Sequence, residues 1–317
     1  MKDDKIPVID LSGMIAFWMI LEILQSDNEP SEHQWKQLFN TLGYKALSTE
    51  FDSCFFRKKY ELAYKPSSRA IKGHEKDDRY VKHYLEVAEK RKEVEAWLRD
   101  IEENDFLKGS LSKVKEWLPS DVDEAPVVAF VVFEMDARGY DCIVLDPLFS
   151  MSLGSDIGDL LAHELFHNYA RKFYVYDLRS AEPLDVDLLW VLRQLNEEGI
   201  ADQIFALRYP SLEEQVENSP IIIQEMDKII QKMAFSKDTR ELSKRLRMTL
   251  PRAGHLTGYY MAKAILKGLG KERLLETVGN PFGFIGVYDE AAEILGLRCF
   301  SPVTLEYIES LLGKYTR

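Results

Sequence analysis

The pentapeptide His163-Glu164-Leu165-Phe166-His167 constrains this chain more than any other stretch of it. It follows the apolar run Leu160-Leu161-Ala162 and so reads as part of a buried helix. Residues four apart share a helix face, so both imidazoles can reach one metal ion. Glu164 projects about 100° around the helix from His163, where it can contact a water on the metal without being a ligand. The flanks predict a helix of about four turns. Ser155 suits its N-cap, Asp156 and Asp159 its positive start, and Arg171 and Lys172 its end. The plainer alternative is a pair of core histidines bonded to backbone.

A catalytic zinc takes three protein ligands and leaves a fourth position open, so a further ligand has to come from elsewhere. Beyond the motif stands Asn196-Glu197-Glu198-Gly199-Ile200-Ala201-Asp202, inside a second helical pattern that starts near Pro183 and stops before Pro210. Val191, Leu195 and Phe205 mark an apolar stripe that Glu198 and Asp202 share. Two carboxylates on a buried face are costly unless a cation or donors compensate them. A zinc ion held by Glu198, with Asp202 bonded to the far nitrogen of a ligand histidine, compensates both. Glu197 is the rival ligand, but it points off the stripe and has Ala201, not a carboxylate, four residues on. Gly199 weakens the helix by about 1 kcal/mol relative to alanine. It therefore points to close approach by another helix, with the motif helix as the candidate.

His163, Glu164 and His167, together with Glu198-Gly199-Ile200-Ala201-Asp202, resemble the zinc and general-base residues of the gluzincins, the zinc peptidases that include thermolysin and the aminopeptidase N relatives. The second stretch matches the E-x-x-x-D spacing of the former and the N-E-G-x-A wording of the latter, with an extra Glu between Asn196 and Gly199. The matched region covers roughly residues 125–205, and the whole chain is similar to small bacterial proteins described as zinc-dependent proteases. The resemblance implies an α+β, mainly helical chain, with a zincin-like fold and a small mixed sheet beside the active-site helix. It implies one Zn2+ per chain on His163, His167 and Glu198, with Asp202 orienting a ligand histidine and Glu164 as general base. A peptide or protein would be the substrate, hydrolysed by a metal-activated water. A His or Tyr from beyond Glu198 would stabilise the oxyanion. His255 and Tyr259 share a face of the helix opened by Arg252-Ala253-Gly254 and are the candidates, ahead of Tyr260. The free-amine signature of the aminopeptidases, Gly-x-Met-Glu-Asn, is met only by Phe133-Glu134-Met135-Asp136, without its Gly and Asn. A second reading keeps zinc for structure and makes the chain a catalytically inactive binding or regulatory module. Glu164 counts against it, because a structural site has no need of that carboxylate.

Val127 to Phe133 is β-branched and aromatic and reads as a buried strand. A turn at Ala137-Arg138-Gly139 then leads to a second strand, Tyr140 to Leu145, ended by Pro147. In gluzincins the substrate adds as an extra strand to a sheet edge, and residues 140–145 are the expected edge. An ordinary core hairpin is the alternative.

At 317 residues the chain can bury one large core or two smaller ones. A net charge of −12 argues against nucleic acid or anionic membranes as partners. The apolar run Met14 to Leu24 contains Glu22 and is too short to span a bilayer. The three cysteines, Cys54, Cys142 and Cys299, have no C-x-x-C spacing and suit a reduced, cytoplasmic protein. Helical patterns fall near 10–25, 31–42, 70–103 and 109–117. The dense mixed charge between Ser68 and Glu103 reads as a solvated face. His33, His74 and His83 show no ligand spacing. A composition shift at Pro119-Ser120-Asp121 divides a mostly helical region, 1–120, from a zincin-like metallopeptidase domain, 121–317. The latter has a helical C-terminal part interrupted around Gly279 to Gly283.

Overall fold

A computed structural model describes residues 7–71, 78–103, 106–122, 124–177, 181–206 and 216–315. His74, with Lys72, Glu75 and Lys76 of the mixed-charge segment, lies outside them, as does Pro210. The chain is mainly helical with a small mixed sheet, and it forms two compact units. The first comprises Met1–Ser112 and Asp123–Asn168, the second Lys113–Val122 and Tyr169–Arg317. The sheet belongs to the same unit as the N-terminal helices.

The first unit begins with β1 (Val8–Asp10) and α1 (Ser12–Gln25). Met14, Phe17, Trp18, Leu21 and Leu24 recur at three- and four-residue spacing and form the buried face of α1. Six helices follow: α2 (Glu32–Phe39), α3 (Leu42–Leu47), α4 (Ser53–Tyr64), α5 (Pro66–Ile71), α6 (Arg79–Glu89) and α7 (Arg91–Glu103). After them, α8 (Phe106–Lys115) leads to β2 (Val127–Phe130), β3 (Ala137–Gly139), β4 (Ile143–Leu145), α9 (Pro147–Ser152) and the motif helix α10 (Ile157–Ala170). The expected pattern at 31–42 is thus split by Asn40 and Thr41, and the one at 70–103 by Lys90. Helix α4 had no counterpart in the sequence reading. Ser155 sits in a short 3-10 turn, Gly154–Asp156, ahead of α10 rather than on its cap.

The sheet order is β1-β2-β4-β3, with β1 and β4 parallel to β2 and β3 antiparallel to β4. This corrects the expected hairpin. The two apolar strands are parallel neighbours, and Ala137–Gly139, read as a turn, is itself the strand that pairs with β4. The edge strands are β1 and β3, and β3 is the one beside β4, whereas residues 143–145 lie in the interior of the sheet. Val131 to Phe133 leave the strand yet remain fully buried, so their backbone polar groups need partners. Tyrosines supply them. The hydroxyls of Tyr44 and Tyr60, 2.7 Å apart, both lie on the Val132 carbonyl, and Tyr84 donates to the Phe133 carbonyl at 2.9 Å. Burial raises the pKa of all three phenols and so keeps them protonated. The Phe133 amide donates to Asp146, which also caps α9 and lies 2.7 Å from His83 Nε2. His83, assigned no role from spacing, is thereby a buried strut.

The second unit contains α11 (Val186–Ile204), α12 (Ser219–Ala234), α13 (Arg240–Thr249), α14 (His255–Gly268), α15 (Lys271–Leu275), α16 (Pro281–Leu295) and α17 (Pro302–Tyr315). Helix α11 is shorter than the expected span, and it ends where Phe205 turns extended. Asp227 on α12 accepts from Ser301 and Thr304 and anchors the start of α17. Tyr315 and Lys314 at the other end of α17 both donate to Asp185, just ahead of α11. Helices α11 and α14 touch backbone to backbone. A Cβ on Gly199 would lie 2.6 Å from the Gly258 carbonyl oxygen, and one on Gly258 would lie 2.5 Å from the Leu195 carbonyl oxygen. Gly199 was therefore rightly read as a close-approach position, but the helix it meets is α14 and not the motif helix. Among the described residues no helix is long and apolar enough to cross a membrane, and the three cysteines are free.

Candidate metal centre

Two groups of polar side chains, one in each unit, account for the residues singled out from the sequence. In the first unit, α10 is held by its apolar positions Leu160, Leu161, Leu165 and Phe166, all at most 3% exposed. That burial carries His163 and Glu164 inward, at 6% and 7% exposure. His163 and His167 lie one turn apart, and their Nε2 atoms are 3.1 Å apart. Two Zn–N bonds at a tetrahedral angle place their nitrogens about 3.3 Å apart. The paired imidazoles therefore fit a shared zinc ion, and imidazole is a ligand type that zinc favours.

Strand β3 runs close against this helix. A Cβ on Gly139 would sit 3.3 Å from a Glu164 carboxylate oxygen, 3.3 Å from the Glu164 carbonyl and 3.2 Å from His167 Cβ. Only a residue without a side chain lets the strand pass here undisturbed. Asn168 on the same helix donates to the Tyr140 carbonyl at 2.8 Å, which fixes the turn after β3.

In the second unit, Glu198 and Asp202 occupy successive turns of α11 and face the first residue of α14. His255 Nδ1 lies 3.0 Å and 3.2 Å from the two Asp202 oxygens and 3.4 Å from a Glu198 oxygen. Both partners are acceptors, so Nδ1 carries the ring proton. Asp202 thus pairs with His255, a partner the sequence reading did not assign to it. The Gly199–Gly258 contact makes this possible, because it brings the start of α14 onto the acidic face of α11. The chain enters α14 through Arg252 (φ 47°), Ala253 (φ 52°) and Gly254 (φ 107°), all left-handed. The two non-glycine residues are disfavoured by roughly 1–3 kcal/mol each, so the expected helical opening at Arg252 is instead a strained turn.

Glu197, the rival ligand, is otherwise engaged. It accepts from the Tyr174 hydroxyl and faces Arg193 Nε at 3.7 Å. Burial and the Glu197 charge push the Tyr174 phenol far above its usual range. Burial works against the Arg193 charge, but Glu197, Tyr174 and Tyr176 outweigh it and raise its pKa. Tyr259, one turn beyond His255, has its carbonyl on Gln203 and its ring beneath Lys263. Tyr260 packs toward Tyr288. Gly139, Gly258 and Gln194, which support these groups, were not found from the sequence. Gly254 and Gly258, one turn apart, were the available signal for a close helix contact.

Comparison with curated proteins and with solved structures gives no match for this chain. Residues 35–295 match a family described as "Putative zinc dependent peptidase (DUF5700)", a span that includes every residue of both groups. The chain belongs to that family.

Proposed function

We propose that the chain is a gluzincin-type zinc peptidase in which His163, His167 and Glu198 hold one zinc ion and Glu164 is the general base. The observation that carries this reading is the pair of imidazole nitrogens 3.1 Å apart on a buried helix, with Glu164 beside them. Membership of a family described as zinc dependent peptidases supports it. Zinc supplies a Lewis acid and makes a water acidic enough to ionise near neutral pH. Glu164 takes the proton of the attacking water and passes it to the departing amine. His255, held through Nδ1 by Asp202, donates from Nε2 toward the oxyanion when the ring carries both protons, and is preferred to Tyr259 because of that anchor. The peptide lies along the open side of β3 as an added strand. Glu134 is paired with Arg138 at 2.9 Å and with Arg79 at 3.2 Å. It is thus not available to grip a free amine, in keeping with a protease that does not read the substrate terminus.

Elemental analysis together with a mixed peptide library tests the reading. The expected result is about one zinc per chain, with cleavage abolished by chelation and restored by zinc. Zinc bound at that stoichiometry without any cleavage would overturn the peptidase assignment.

Gly139→Ala supplies a finer test. The new methyl presses on the Glu164 carboxylate, and since a 1 Å misplacement can lower a rate about 100-fold, a displacement of a few tenths of an ångström should reduce kcat about tenfold. Zinc affinity should weaken as well, because the methyl also meets His167 Cβ at 3.2 Å. Gly109→Ala, where no atom lies within 4 Å of the added Cβ, should leave kcat at the parental value.

A further inference from the structure

Gln194 stands one turn before Glu198 on α11 and is 8% exposed. Its Nε2 lies 3.3 Å from Glu198 Oε1 and 3.2 Å from the Ala253 carbonyl oxygen. An amide nitrogen carries two hydrogens, and each of these acceptors can take one. The amide cannot be turned over, because its oxygen would then face a carboxylate and a carbonyl. The turn also packs directly on this residue. A Cβ on Gly254 would lie 3.0 Å from the Gln194 carbonyl carbon and 3.0 Å from its Cβ.

The two acceptors serve different ends. One belongs to the carboxylate assigned to zinc, the other to the strained turn that presents His255 to Asp202. We infer that Gln194 is a positioning residue that couples the two, setting both the orientation of the Glu198 carboxylate and the placement of His255. This rests on the reading under Proposed function. It adds to that reading that metal affinity and oxyanion stabilisation share a single support.

The test uses Gln194→Met, which keeps length and removes both hydrogen bonds, and Gln194→Glu, which keeps shape and removes both donors. Loss of a residue that supports a metal ligand lowers affinity about 10- to 100-fold. Chelator competition should therefore show at least a tenfold weaker zinc affinity in both variants, the glutamate being the weaker of the two. At saturating zinc, kcat should fall while KM stays near the parental value. Adding Ala253→Gly separates the two roles, since glycine takes the left-handed conformation without strain. The double variant Gln194→Met/Ala253→Gly should recover kcat and leave zinc affinity weak.

Zinc binding as tight as the parent's in both single variants overturns the inference. So does a double variant that recovers neither property, or recovers both together. If Gln194→Met does not fold, as judged by its zinc-free thermal unfolding, Gln194→Glu carries the affinity test, and parental zinc affinity in it overturns the inference. A parent protein that binds no zinc would sink the earlier reading instead, and the two failures are distinct.

Discussion

Glu164→Gln should abolish hydrolysis and leave zinc in place. The amide keeps the size of the carboxylate but cannot accept a proton, and a positioned general base contributes about 10²- to 10⁴-fold to such reactions. The expected loss in kcat falls in that range, with little change in KM. Zinc content should stay at the parental value, because the proposal assigns Glu164 to proton transfer and not to the metal. Steady-state kinetics on any cleaved peptide, beside elemental analysis of the same preparation, decide the matter. A variant that keeps full activity removes Glu164 from the role of base, whatever the metal content.

The second large effect is expected at a position with no chemistry of its own. In Gly258→Ala the methyl carbon would lie 2.5 Å from the Leu195 carbonyl oxygen, 2.9 Å from the Gly199 nitrogen and 3.0 Å from Gly199 Cα. All three are backbone atoms, so no rotamer change relieves the clash and the two helices must separate. Overpacking of this severity costs about 3 kcal/mol. The alanine returns about 1 kcal/mol in helix propensity, leaving a net loss of about 2 kcal/mol. For a unit of this size the melting temperature should drop by about 6 °C. Activity should fall further than stability does, because the start of α14 moves away from Glu198 and Asp202. The control is Gly286→Ala on α16, where the added Cβ meets nothing within 4 Å and stability should rise slightly. A Gly258→Ala protein with parental melting and kinetics would mean that the backbone contact is not as close as described.

These outcomes bear on what could be read from residue order alone. His163, Glu164 and His167 declared themselves because helix periodicity and apolar flanks act within a few residues. Glu198 and Asp202 were legible for the same reason, as carboxylates on an apolar stripe. The partner of Asp202 was not, because His255 is 53 residues away and reaches it only through the glycine contact between α11 and α14. The hairpin was misread for a related cause. Ala137-Arg138-Gly139 has turn composition, yet Gly139 is glycine because a helix from later in the chain passes within contact of it. In both cases a local signal was present, and its meaning was set by a distant neighbour. Gln194 carried no signal at all, since a glutamine with two acceptors looks like any other until both acceptors are in place.

The pairing of Val8 with Val127 has a consequence for the order of events during synthesis. About 120 residues lie between β1 and the strand it pairs with, so this edge of the sheet cannot form until all of them have been made. Such long-range parallel pairing closes slowly, and the apolar strand β2 stays open on one side until it does. A cell making this protein would have to shield that side from other chains for the whole interval.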